Sequence, residues 1–272
     1  MSYSFPTKII EMFHDDDLDG SDIERKDVKP RKARKKKPLR RPANEIVFIK
    51  NKDKVGHESW DEKRARDIGN FPSPSRIVLI GACGCGKTML IKNIILHAMP
   101  RYEEVYLIHP DIEHSREFAD MDLTAEMDEV PDVSYWTPED GRHKKRCLII
   151  DDLEFTSAST EALARLGLLF RYVSTHKSMT ILFSHQSWFN VPGLVKKMSN
   201  VFVIWRPKPR NELELITNRV GMKKGDLKLL FDTVATKHRD SICIDMSENS
   251  PAPLRLNIWK PITKQESSDE ED

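Results

Sequence analysis

Cysteine is scarce in this chain: four residues, Cys83, Cys85, Cys147 and Cys243, among 272. Cys83 and Cys85 have one residue between them, and no pair has zinc-site spacing. A disulfide scaffold and a structural zinc are therefore not expected, and the thiols read as reduced in an intracellular protein. Long apolar runs are also missing. Nothing is long enough to cross a bilayer and the N-terminus lacks a secretory pattern, so no membrane partner is expected. Internal repeats are absent. A net charge is nearly absent too, at a formal +1.

That near-zero balance conceals segregated charge. Residues 15–24 are acidic, through Asp15, Asp16, Asp17, Asp19, Asp22 and Glu24. Residues 29–41 are basic, through Lys29, Arg31, Lys32, Arg34, Lys35, Lys36, Lys37, Arg40 and Arg41. The chain ends Ser267-Ser268-Asp269-Glu270-Glu271-Asp272. Charge with few β-branched residues, broken by Pro30, Pro38 and Pro42, predicts a disordered arm over 1–42. A folded domain is expected over 43–262 and an acidic tail over 263–272. The basic run suits DNA phosphates or a nuclear-import signal. It has no interleaved aromatics, so stacking on single-stranded bases is not indicated.

The most specific local pattern is Gly81-Ala82-Cys83-Gly84-Cys85-Gly86-Lys87-Thr88. It matches G-x-x-x-x-G-K-[ST] at every fixed position. Arg76–Ile80 before it reads as a buried strand and Met89–Leu96 after it as a helix. Strand, glycine loop and helix N-terminus form an anion cradle, because inward amides and the helix dipole favour negative charge. The nucleotide-contacting candidates are Gly81, Ala82, Cys83, Gly84, Cys85, Gly86, Lys87, Thr88 and Met89. Lys87 is expected on the β- and γ-phosphates, and the Thr88 hydroxyl on Mg²⁺.

Further apolar runs alternate with helical patterns. Strands are expected at Glu45–Ile49, Glu104–Ile108, Val133–Trp136, Arg146–Ile150, Met179–Ser184, Asn200–Trp205, Ser241–Asp245 and Leu254–Trp259, the last two as a hairpin. Helices are expected over 159–173, 211–220 and 224–233. The alternation implies an α/β fold with a mainly parallel sheet covered on both faces. Leu148-Ile149-Ile150 delivers Asp151 and Asp152 to a strand end. Asp151 is the Mg²⁺ candidate, and Asp152 the acid that polarises an attacking water, with Glu154 as runner-up. Gln186, after the Met179–Ser184 strand, is placed to sense the γ-phosphate. Asn51-Lys52-Asp53-Lys54 precedes the loop and ends in Lys, so a guanine-reading element is missing and ATP is the expected nucleotide.

Gly81–Thr88, Leu148–Leu153 and the run Leu169–Ser178 leading to Gln186 resemble the FtsK–HerA superfamily, and within it the poxvirus-type genome-packaging ATPases. The adenovirus packaging ATPase is a more distant likeness. The matched region spans roughly residues 75–206. His176, Pro192, Lys196 or Lys197, and Asn200 stand at further family positions, while Thr175 replaces the usual Arg before His176. The resemblance implies a P-loop NTPase of the RecA-like, additional-strand type. It implies a homo-oligomeric ring that pumps double-stranded DNA into a viral capsid through a capsid or portal vertex protein. An arginine finger would complete the neighbouring subunit's site, with Arg171 first and Arg165 or Arg206 as alternatives. Val191–Lys197 is the expected mover. The host nucleus, or association with the virion, is the expected location. A helicase or transposon-encoded ATPase, and a non-hydrolysing ATP switch, remain open alternatives.

Overall fold

The computed structural model describes residues 71–113, 117–136, 144–248 and 250–263. The expected basic and acidic arm, the Glu45–Ile49 strand, the domain limit at residue 42 and most of the acidic tail lie outside the described residues.

Among the described residues nine strands form one sheet: β1 (Arg76–Ile80), β2 (Glu104–Ile108), β3 (Ala125–Met127), β4 (Arg146–Asp151), β5 (Met179–His185), β6 (Val201–Trp205), β7 (Ser241–Asp245), β8 (Leu254–Leu256) and β9 (Lys260–Pro261). Their spatial order is β3-β2-β4-β5-β1-β6-β7-β8-β9. Pairing is parallel from β3 through β6 and antiparallel from β6 to β9. The strand β5 sits between β1 and β4, which is the additional-strand arrangement expected. The parallel strands read as unbroken apolar runs because both sheet faces are covered. In β1, Ile77 and Leu79 enter one core with Ile91 and Ile94, whereas Val78 and Ile80 enter the other with Phe170, Phe183 and Val195. Each fully buried aliphatic side chain contributes roughly 1.5–3 kcal/mol.

The helices are α1 (Lys87–Leu96), α2 (Thr160–Leu168), α3 (Ser174–His176), α4 (Gly193–Met198), α5 (Arg210–Arg219) and α6 (Asp226–Thr233). The Ser159 hydroxyl caps α2 by accepting from the Ala162 amide at 3.1 Å. Between α2 and α3, Leu169–Val173 is π-helical. It buries Leu169, Phe170 and Val173 and leaves Arg171 and Tyr172 exposed.

Three expectations need correction. Val133–Trp136 is a 3₁₀ turn rather than a strand. Pro131-Asp132 starts it, the Asp132 carbonyl accepts the Tyr135 amide at 3.0 Å, and Trp136 tucks edge-on against Tyr106 at 5.2 Å. The third strand is instead Ala125–Met127, whose short run is interrupted by Glu126. The final strand stops at Leu256, because Asn257 and Ile258 take left-handed φ of 52° and 61° and turn the chain back as β9. Finally, Val191–Lys197 is no free loop: Val191 and Val195 are buried, and Arg219 donates to the carbonyls of Lys196 and Lys197 at 2.9 Å.

Candidate nucleotide site

The parallel register aligns three strand ends. Asp151 pairs with Ser184, and Ile80 pairs with His185. One step further, the Gly81 amide donates to the His185 carbonyl at 3.2 Å and the Asp152 amide to the Ser184 carbonyl at 3.1 Å. The phosphate loop, Asp152 and Gln186 thus leave the sheet at one edge.

The loop's glycines answer two different demands. Gly86, the N-cap of α1, has φ 111°, a conformation that favours glycine. At Gly81 the limit is space, since a Cβ would lie 2.6 Å from Cys85 Sγ and 2.9 Å from Trp205 Cβ. Lys87 is buried, and its ammonium donates to the carbonyls of Gly81 at 2.8 Å and Ala82 at 3.4 Å. The Thr88 hydroxyl donates to Glu117 Oε2 at 3.0 Å, and one turn on, Lys92 pairs with Asp120 at 2.5 Å. These contacts, with buried Phe118 between them, strap the segment after β2 onto α1.

Asp151 is only 4% exposed, and its Oδ1 has no hydrogen-bond partner among the described residues. Burial pushes its carboxyl above the usual range, partly offset by the Ser184 hydroxyl and the Lys87 charge. An orphaned carboxylate oxygen in a cleft that Thr88 also lines fits a hard, oxygen-seeking cation. Among the described residues no group of three His, Cys, Asp or Glu could hold a metal alone. A magnesium ion here would share its coordination with phosphate oxygens, its usual manner in such sites.

Asp152 takes a left-handed φ of 48°. Its Oδ2 accepts from Gln186 Nε2 at 3.0 Å, and its Oδ1 has no partner among the described residues. Glu154 is engaged differently. Its Oε1 accepts from the Phe155 amide at 3.0 Å, the Thr156 amide at 2.8 Å and the Thr156 hydroxyl, which together hold its carboxyl below the usual range. Glu154 does not line the cleft, whereas Asp152 does.

The cleft over the loop has a volume of about 610 Å³. Cys83 to Leu90, Lys92, Asn93, Asp151 and Asp152 line it, together with Glu117, Trp205, Arg239, Ser241, Asn257 and Trp259. None of these last six was expected from sequence. They come from separate segments, and the only local signal was a tryptophan near a strand end. Gln186 reaches the cleft only through Asp152, and Arg171 is not in it. Of the three arginine candidates, Arg165 pairs with Asp132 at 3.1 Å and Glu161 at 2.8 Å, and Arg206 with Asp232 at 2.7 Å. Arg171 is exposed and makes no ion pair among the described residues.

No protein-family model and no curated protein sequence matches the chain. Solved structures do. The DNA-packaging ATPase B204 of Sulfolobus turreted icosahedral virus superposes with a TM-score of 0.50 over 70% of this chain and 99% of that one, at 17% identity. The genome-packaging NTPase B204 of Sulfolobus turreted icosahedral virus 2, in complex with ATP-gammaS, gives 0.50 over 70% and 98%, at 16% identity. This is a P-loop NTPase fold. The cytoplasmic domain of the Thermomonospora curvata type VII secretion ATPase EccC gives 0.50 over 73% of this chain and 27% of that one, at 12% identity. At such identities the likeness is one of architecture, with the mixed sheet and covering helices shared.

Proposed function

We propose that this protein is an ATP hydrolase that drives double-stranded DNA into a viral capsid, working as a homo-oligomeric ring at a capsid or portal vertex. The observation that carries the hydrolase reading is the meeting of buried Lys87, Thr88, orphaned Asp151 and Gln186-bound Asp152 at one sheet edge. Loop amides and Lys87 would bind the triphosphate. Thr88 and Asp151 would hold Mg²⁺, which neutralises phosphate charge. Asp152, oriented by Gln186, would accept the proton of the attacking water. A γ-phosphate that draws on Gln186 would also pull at Asp152, linking nucleotide state to the strand end of β5.

Packaging is supported by the sequence resemblance and the shared fold. The basic run Lys29–Arg41 is the proposed DNA contact, acting on phosphates rather than bases. Lys144 and Arg146 serve the fold instead: Lys144 pairs with Glu104 at 2.7 Å, and buried Arg146 donates to the Trp136 and Lys177 carbonyls. Arg171 is the proposed finger toward a neighbouring subunit, a role worth ~10³–10⁵ in rate in other hydrolases.

The test is ATP turnover with and without duplex DNA, for the native protein, Lys87→Ala and Asp152→Asn. DNA-stimulated turnover lost in both variants is expected. Normal turnover in Lys87→Ala would falsify the phosphate-loop reading. Unwinding of a duplex with a single-stranded overhang would favour a helicase, and tight binding without turnover a switch. Mixing Arg171→Ala with Asp152→Asn should restore some activity, because the second variant supplies the arginine that the first lacks.

A further inference from the structure

The phosphate loop accounts for one end of the cleft. Beyond it the cleft is walled by Trp205, Arg239, Ser241, Asn257 and Trp259. We propose that this wall holds a purine base by its face, stacked on the Trp259 indole beside the Arg239 guanidinium, with little choice between adenine and guanine. The inference rests on the nucleotide-hydrolase reading and adds to it how the base is bound.

Trp259 is 45% exposed, whereas Trp136, Trp188 and Trp205 are buried, and it lines the cleft that holds the anion cradle. Its ring meets His97, at the end of α1, edge-on at 5.7 Å and 81°, an arrangement that leaves an indole face open. The turn presenting it is firmly set. Asn257 and Ile258 both have left-handed φ, and for β-branched Ile258 this is a true outlier, held by complete burial of its side chain. The Trp259 amide donates to the Leu256 carbonyl at 3.3 Å. Strained backbone of this kind persists where the surroundings over-determine it, often around ligands.

The polar groups of this wall are mostly spent within the protein. Asn257 Oδ1 accepts from the Ser241 amide at 2.8 Å and its Nδ2 donates to Asp240 at 3.0 Å. The Ser241 hydroxyl also turns to Asn257, at 3.4 Å, and the Trp205 indole N–H donates to the Arg239 carbonyl at 3.1 Å. The Arg239 guanidinium is exposed and makes no hydrogen bond among the described residues. With the amide and hydroxyl groups engaged, the wall offers an aromatic face and a cation. Both recognise a π-system and are indifferent to its edge, as sequence-tolerant stacking sites are.

Calorimetric binding of ATP, GTP and inorganic tripolyphosphate to the full chain tests this, using the native protein, Trp259→Ala and Trp259→Phe. Trp259→Ala should weaken both nucleotides by roughly ten- to a hundredfold and leave tripolyphosphate unchanged. Trp259→Phe should retain most of the nucleotide affinity, and ATP and GTP should bind the native protein within about tenfold of each other. Equal nucleotide affinity in Trp259→Ala and the native protein would overturn the proposal. An equal loss for tripolyphosphate would do the same, marking Trp259 as structural. A native protein that binds neither nucleotide nor tripolyphosphate would instead remove the underlying hydrolase reading, and this proposal with it.

Discussion

The two ends of the cleft are built in opposite ways. The phosphate end is contiguous: Gly81 to Thr88 supply main-chain amides, one buried lysine and one hydroxyl, all mounted between β1 and α1. The far end is assembled from β6, the start of β7 and the β8–β9 turn, and it presents side chains. The first sits on parallel strands gripped by two cores. The second hangs on the antiparallel extension, whose last strands are three and two residues long. The first end thus rests on main-chain geometry fixed by one contiguous loop, and the second on side chains that long-range strand pairing brings together.

The largest effect should come from breaking the phosphate end chemically. Asp152→Asn keeps the shape and the Gln186 neighbour but removes the proton acceptor. Turnover should fall by about 10²–10⁴, with nucleotide affinity nearly unchanged. Single-turnover hydrolysis alongside equilibrium binding checks it. A parallel loss of affinity would mean that the residue holds the nucleotide rather than the water.

A comparable free energy is expected on the other side, but in stability. Arg255 of β8 and Asp245 of β7 form a buried pair at 3.5 Å, with the guanidinium 4.6 Å over the Phe71 ring. Asp245 also accepts from the Ser247 amide at 3.0 Å and from Ser250 Oγ at 2.7 Å, closing the turn between the strands. Arg255→Ala would leave a buried carboxylate without its cation, at a cost of about 3–5 kcal/mol. Chemical denaturation should show that loss. Because the extension carries the far wall, nucleotide affinity should drop more than tripolyphosphate affinity.

The same contrast explains what could be read from residues alone. The phosphate loop is eight consecutive residues with a near-unique spacing, and Asp151, Asp152 and Gln186 each end an unmistakable apolar run. The parallel strands announce themselves because burial on both faces leaves no polar interruption. Trp205, Arg239, Asn257 and Trp259 carry no shared spacing, since the sheet order that joins them depends on long-range pairing. Glu117 was hidden for the same reason: its contact with Thr88 spans 29 positions. Val133–Trp136 misled because aromatic and β-branched residues favour strands locally, whereas Pro131-Asp132 sets a turn and a buried tryptophan completes it.

Gly81 joins the two ends, since its missing Cβ leaves room for both Cys85 Sγ and Trp205 Cβ. Gly81→Ala should destabilise by about 1–3 kcal/mol through overpacking against a strand that cannot retreat. It should weaken ATP and tripolyphosphate alike, unlike Trp259→Ala. Thermal unfolding and the same calorimetry check both parts. A stable variant with intact binding would show that β6 yields more easily than its full burial implies.

The smallest effect sharpens the contrast within the loop itself. Cys83 is exposed on the cleft, whereas Cys85, Cys147 and Cys243 are buried. Burial raises the Cys85 thiol and pushes that of Cys243 up to about 12, so neither offers much thiolate at neutral pH. Cys83 should therefore be the one thiol that alkylates readily in the native protein, and bound nucleotide should slow it. Cys83→Ser should change turnover by less than about threefold, because that position contributes its backbone rather than its side chain to an anion cradle. A bulky adduct on the same sulfur, however, would stand in the cleft and block it. Mass spectrometry of the alkylated protein, with and without ATP, separates these cases: protection at Cys83 alone locates the ligand over the loop. Unprotected Cys83 with saturating ATP would place the nucleotide elsewhere.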